Sequence, residues 1–122
     1  MDQPRLDIQQ ASIKLVLFKS QLRSVLYGVR PFEEALLSPR SNPFGEWLAT
    51  VGRSRYGTEA LLDVEQAHQQ LLMTARDLVS RYQRGQIQDA RSYLSQIDAT
   101  SEQILALLTG LEGNSRSSRP AV

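Results

Sequence analysis

The chain contains a single histidine, His68, which is the first residue to consider for chemistry. Asp63 and Glu65 precede it closely, and carboxylate and imidazole groups together can ligate a metal ion. On a helix, however, positions 63 and 65 are separated by about 200° around the axis, because each residue turns the helix by about 100°. We therefore expect Asp63 and Glu65 to lie on solvent-facing flanks, and we predict no metal site from this trio.

Motifs for catalysis are absent from the sequence. No G-x-S-x-G turn presents a nucleophilic serine beside the histidine, and Gly52 and Gly57 lack the spacing and the lysine of a phosphate-binding loop. The chain has no cysteine, which excludes disulfides, thiolate nucleophiles and every cysteine-containing zinc site. The sequence therefore predicts a protein that is not an enzyme.

Composition and charge limit the class of protein further. The 122 residues, 41% of them apolar, suit one globular domain. No apolar run approaches the roughly 20 residues that a membrane-spanning helix needs, so we expect no membrane insertion and a cytoplasmic location. Residues 1–112 carry 12 basic and 13 acidic side chains, because Arg116 and Arg119 lie beyond them. Without a basic stripe, nucleic-acid binding is not expected.

The periodicity of apolar residues predicts three long helices, at about residues 6–27, 61–82 and 87–111. Gly28 and Gly85 mark the ends of the first two, and the short turn at 84–86 predicts an antiparallel hairpin. The segment 29–57 is rich in proline and glycine and accommodates two short helices, 32–37 and 43–51.

These elements predict an all-α, antiparallel four-helix-type bundle with a short-helix and loop segment between the first and second long helices. We expect one domain, residues 1–112, followed by a disordered tail, residues 113–122, which is polar.

His68 falls on the inward stripe of its helix, between Val64 and Leu71. The simplest interpretation is a core histidine that bonds a backbone carbonyl or a tyrosine hydroxyl, because one imidazole supplies a single ligand of the three or four that zinc requires. Trp47, the only tryptophan, lies in the segment rich in proline and glycine, so this segment is expected to fold onto the bundle.

Three short stretches occur in an order that identifies a family. Residues 15–19 read LVLFK, residues 42–48 read NPFGEWL, and residues 68–72 read HQQLL, with a glycine link at 52–57 and a glycine turn at 85. Over about residues 13–111 the chain resembles the chemoreceptor zinc-binding domain, a bacterial module found on chemoreceptors and on cyclic-di-nucleotide enzymes.

The resemblance implies that three histidine ligands and one cysteine ligand of the family correspond to Leu15, Asn42, His68 and Leu72. Only His68 is retained, so we expect no zinc and no other cofactor, with the two leucines filling the former site. The resemblance also implies a non-catalytic regulatory or protein-interaction module of bacterial signal transduction, such as chemotaxis. A signalling protein as partner is expected, as is a homodimer, for which Val16 and Leu17 are spare apolar residues on the first helix.

Two alternatives remain open. The former metal site could be a pocket for a small ligand, with two polar groups in an apolar lining. Its lining would be Leu15, Phe18, Asn42, Trp47, His68 and Leu72. Plain core packing is the favoured explanation for Phe18 and Trp47, because aromatic residues at helical spacing normally pack. The second alternative is a weak zinc sensor that uses His68 with Glu65 or Asp63 and a partner subunit.

Overall fold

The computed structural model describes the backbone of residues 3–117 and the side chains of residues 7–112. Its long helices are α1 (Gln3–Leu26), α4 (Leu62–Gln83) and α6 (Leu94–Ser117). The shorter elements are a 3-10 helix (Glu34–Leu37), α2 (Pro43–Trp47), a π-helical turn (Leu48–Gly52), α3 (Arg53–Tyr56) and α5 (Ile87–Ser92). Residues 3–117 contain no strand, and the predicted all-α fold class is confirmed. None of the helices in this range is long and apolar enough to cross a bilayer.

Glycine ends two of the long helices, as the sequence predicts. Gly28 follows α1 with φ 74° and Gly85 follows α4 with φ 87°, a backbone conformation that favours glycine. At the second of these ends the amide of Gln86 donates to the carbonyl of Arg81 at 2.8 Å, and the amide of Gly85 donates to the carbonyl of Tyr82 at 3.0 Å. This pair of bonds is the Schellman motif, which satisfies carbonyls at a helix C terminus. The turn folds α5 and α6 back along α4 as an antiparallel hairpin.

The bundle is held together by apolar faces that the helices bury against one another. Helix α4 packs on α5 and α6, while α1 packs on α6 and α2. Buried positions recur on α4 every three or four residues, the period of a helix with one inward face. They are Val64, Ala67, His68, Leu71, Leu72, Ala75, Leu78 and Val79.

The segment between α1 and α4 contains more helix than the sequence indicates. The first short helix is a 3-10 turn, but the second continues from Pro43 through the π-helical turn to Tyr56, where the prediction ends it at residue 51. The predicted break fails at Gly52, which is buried. A Cβ atom there would lie 3.3 Å from the Leu48 side chain and 3.4 Å from that of Trp47. Close packing of this helical path therefore overrides the low helix propensity of glycine.

The last part of the chain also departs from the prediction. A turn at Tyr93 divides the predicted helix into α5 and α6, and α6 continues to Ser117. The backbone of residues 113–117, predicted to begin a disordered tail, is thus helical, because extending an existing helix costs less than nucleating one. Residues 118–122, the remainder of that tail, lie outside the described residues.

An ion-pair cluster links α3, at the end of the short-helix segment, to α1 and α6. The Nε atom of Arg55 lies 3.0 Å from Oε1 of Glu112 on α6 and 3.6 Å from Oδ2 of Asp7 on α1. The hydroxyl of Tyr56 donates to the same Glu112 oxygen at 3.0 Å. Burial and the Glu112 carboxylate both raise the pKa of Tyr56, so this phenol keeps its proton. The cluster fixes α3 between the start of α1 and the end of α6.

Candidate functional site

His68 lies in the interior, where α4 faces the short-helix segment. The residue is 4% exposed. Its ring meets the ring of Phe44 edge to face, with centroids 5.2 Å apart and planes at 70°. Phe44 in turn stacks on Trp47 at 5.7 Å. These three rings form an aromatic cluster through which α2 packs against α4.

Asn42 supplies the polar partner of His68. Its Oδ1 accepts a hydrogen bond from the amide of Gly45 at 2.8 Å and so caps the N terminus of α2. Its Nδ2 donates to the carbonyl of Ser38 at 2.7 Å and lies 3.4 Å from Nε2 of His68. Turning the amide over would direct its oxygen at the Ser38 carbonyl and its nitrogen at the Gly45 amide. The carboxamide is therefore fixed in one orientation.

This orientation determines the state of the imidazole. Because Asn42 presents N–H groups to Nε2, that nitrogen is the acceptor, and we assign the ring proton to Nδ1. Burial lowers the pKa of His68 from 6.5 to about 4. Protonation of Nε2 would also bring its N–H against the amide group of Asn42. His68 is thus neutral at pH 7, and the Nε2 lone pair is directed at Asn42.

Gly45 allows the loop before α2 to approach the site. A Cβ atom on this residue would overlap the carbonyl oxygen of Pro39, lie 2.8 Å from the Pro39 carbonyl carbon and lie 3.2 Å from Cε1 of His68. Only a residue without a side chain fits between the loop and the imidazole. The glycine in the NPFGEWL stretch is therefore a packing requirement of this site.

All six residues of the sequence-predicted pocket are buried, and two of them, Asn42 and His68, lie side by side. Leu15 and Phe18 belong to the inward face of α1, and Leu72 follows His68 by one turn of α4. The indole Nε1 of Trp47 is buried without a hydrogen-bond partner among the described residues. Of the six, His68 alone lines the cavity that opens beside the site. Ligand binding by the six-residue set stays a prediction.

That cavity has a volume of about 280 Å³ and lies between the loop at Pro39, the π-helical turn and α4. His68 and Gly45 line it, as do three charged residues that no sequence pattern places together: Arg40, Arg53 and Glu65. The spacing of Glu65 and His68, three apart on one helix, indicates a shared face. No pattern relates Arg40 and Arg53 to that face, because their positions depend on the path of the chain around Gly45. Asp63 lines a different groove, between α4 and α6.

The residues that the sequence resemblance would align with zinc ligands do not fit a zinc ion. Leu15 and Leu72 offer only hydrocarbon, and every polar group of Asn42 is already bonded. Within the side chains that the structure describes, no three His, Asp or Glu residues are close enough together to hold a metal. His68 with Glu65 and Asp63 is therefore not a complete ligand set in one subunit.

Comparison of the chain with models of protein families, with curated proteins and with solved structures gives no match to any of them.

The close approach at Gly45 predicts that Gly45→Ala will be strongly destabilising. We expect the free energy of unfolding to fall by about 3 kcal/mol, the upper part of the range for overpacked cores, because the methyl group meets backbone that cannot rotate away. Denaturant unfolding followed by circular dichroism measures the change.

Gly110→Ala is the matched control, since Gly110 lies on α6 with open space around its Cβ position. This variant should be as stable as the wild type or more stable, by up to about 1 kcal/mol, from the better helix propensity of alanine. Equal effects of the two substitutions would contradict the packing described at Gly45.

Proposed function

We propose that this protein is a non-catalytic regulatory module of bacterial signal transduction, related to the chemoreceptor zinc-binding domain but independent of metal. One observation carries the proposal. Asn42 and His68 are the positions at which the resemblance puts a cysteine ligand and a histidine ligand. They are 26 residues apart in the chain, yet their side chains lie 3.4 Å apart in the interior. A resemblance in sequence alone would not require this contact.

Packing supports the independence from metal. A complete structural zinc site contributes about 10–16 kcal/mol of apparent binding free energy, which one imidazole cannot supply. Leu15 and Leu72 are buried instead, and full burial of a leucine side chain contributes about 1.5–3 kcal/mol. Replacing a buried polar cluster by well-packed apolar groups is often neutral or stabilising. We therefore propose that the apolar core, rather than a metal ion, stabilises the bundle.

The state of His68 supports a role without catalysis. A nucleophilic mechanism needs a hydroxyl within hydrogen-bond distance of a basic imidazole nitrogen. In the described part of the chain, the side chain at that distance from Nε2 is the amide of Asn42, which supplies N–H groups and no nucleophile. The low pKa of His68 also makes it a poor base at neutral pH. A cytoplasmic site of action is part of the proposal.

The partner that we propose is a second copy of the chain, bound through one face of α1. Ile13, Val16 and Leu17 are 65%, 55% and 41% exposed and adjoin one another at helical spacing. A groove of about 300 Å³ between α1 and α6 borders this face and includes Val16 and Leu94. Two copies of the chain would cover these exposed apolar side chains through an isologous contact, in which both subunits use the same surface.

Restoring the family's ligands tests the proposed relationship. The triple variant Leu15→His, Asn42→Cys and Leu72→His, together with native His68, should bind one zinc ion per chain with tetrahedral coordination. Native mass spectrometry of the variant purified with zinc measures the stoichiometry, and cobalt substitution reports the geometry by visible absorption. The wild type in the same preparation should retain no zinc.

The matched control adds His68→Leu to the triple variant and should lose the bound metal. Loss of helix in the metal-free triple variant is acceptable if zinc restores the circular dichroism spectrum. A triple variant that is helical without binding zinc, or that stays unfolded in its presence, would contradict the relationship.

The α1 interface predicts that Val16→Glu will convert a dimer into a monomer, because an isologous contact would bury the two introduced carboxylates near each other. Light scattering coupled to size exclusion measures the mass, and circular dichroism verifies that the fold is intact. Met73→Glu is the control, since Met73 is 71% exposed on α4 and should leave the dimer unchanged. A monomeric wild type, or dissociation by both substitutions alike, is inconsistent with the interface.

A further inference from the structure

We infer that the cavity beside His68 is a binding site for a small organic or inorganic oxyanion, held between the guanidinium groups of Arg40 and Arg53. The inference adds a ligand to the proposed regulatory function. It rests on the cavity and its charges, so it holds whether or not the chain is related to a zinc domain or forms a dimer.

The charge around the cavity is positive in balance. Arg40 and Arg53 line it together with a single carboxylate, that of Glu65. Among the side chains of residues 7–112, no acidic group lies within 4.0 Å of Arg40, whereas Arg53 lies 3.4 Å from Oε2 of Glu65. Both members of that ion pair are partly exposed, and such a pair is weak enough for a competing anion to replace it. Two guanidinium groups are therefore available to an incoming oxyanion.

Guanidinium groups select the chemistry of the ligand. Their parallel N–H donors match the oxygen pairs of a carboxylate or a phosphate, with hydrogen bonds about twice as strong as those between neutral groups. The neutral imidazole of His68 and the amide of Gln69 also line the cavity and add polar contacts that carry no charge. A cation would gain nothing from this lining, because it would meet two fixed positive charges.

The size and shape of the cavity limit the ligand to a small molecule. Its volume of about 280 Å³ is just below the range of roughly 300–1,000 Å³ for small-molecule sites. Gly45 and Leu48 supply an apolar part of the lining next to His68. The combination of an apolar wall with a few convergent polar groups is typical of metabolite pockets. A dicarboxylate or a phosphate of a small metabolite fits this description.

Nuclear magnetic resonance titration of the 15N-labelled protein tests the inference with two probes, succinate and inorganic phosphate, at ionic strength held constant with potassium chloride. We expect saturable shifts at the amides of Gly45, Ala49 and Arg53 with at least one probe. The probe that binds more tightly distinguishes a carboxylate site from a phosphate site. Arg40→Gln and Arg53→Gln should each weaken binding at least about tenfold, since each removes charge-assisted hydrogen bonds.

Two further variants separate charge from shape. Ala49→Phe leaves all charges in place and adds a bulky side chain to the lining of the cavity, so it should abolish binding. Arg84→Gln removes an exposed guanidinium just after α4, away from the cavity, and should bind like the wild type. The absence of saturable shifts with both probes would overturn the inference, as would affinities that Arg40→Gln, Arg53→Gln and Ala49→Phe leave unchanged.

Discussion

The carboxamide of Asn42 uses its oxygen for the amide of Gly45 and its nitrogen for the carbonyl of Ser38 and the ring of His68. Through these contacts one buried side chain, 1% exposed, joins the loop before α2, the start of α2 and the second turn of α4. Leaving a donor or acceptor of a buried amide without a hydrogen bond costs about 1–3 kcal/mol of stability. Asn42 therefore needs Gly45, Ser38 and His68 in place at the same time. The tautomer of the imidazole depends on this arrangement, whereas its neutral state follows from burial.

Helical periodicity predicted the long helices because burial of one face recurs every three or four residues along α1, α4 and α6. The ends at Gly28 and Gly85 were predictable as well, since a positive φ at a helix C terminus favours glycine. The helical path through Gly52 was not, because it depends on contacts with Trp47 and Leu48 that propensity does not include. The helical backbone of residues 113–117 was missed for a related reason: local composition indicated a tail where an existing helix is extended.

Some features of the site can likewise be predicted from the sequence, and others cannot. The inward position of His68 follows from the period of α4, and its burial is as expected. Its polar partner differs from the expected carbonyl or tyrosine hydroxyl: it is Asn42, whose significance in the sequence comes from the family resemblance alone. The charged cavity was beyond prediction, because Arg40 and Arg53 reach it from either end of a segment whose path is determined by tertiary packing.

We conclude that His68 is a neutral core residue whose Nε2 accepts a hydrogen bond from Asn42. Because His68 is the only histidine, 15N chemical shifts of its ring report the tautomer and the pKa without ambiguity. We expect the Nδ1–H tautomer at pH 7, a ring pKa of about 4, and no change in the ring shifts on adding zinc or a chelator. The histidine of the unfolded chain binds a proton near pH 6.5, whereas that of the folded chain binds it only near pH 4. The contribution of His68 to the free energy of unfolding should therefore be fully present above about pH 6.5 and fall as the pH is lowered toward 4. A ring pKa at or above 6.5, or ring shifts that respond to zinc, would show that His68 is not a neutral core residue bonded to Asn42.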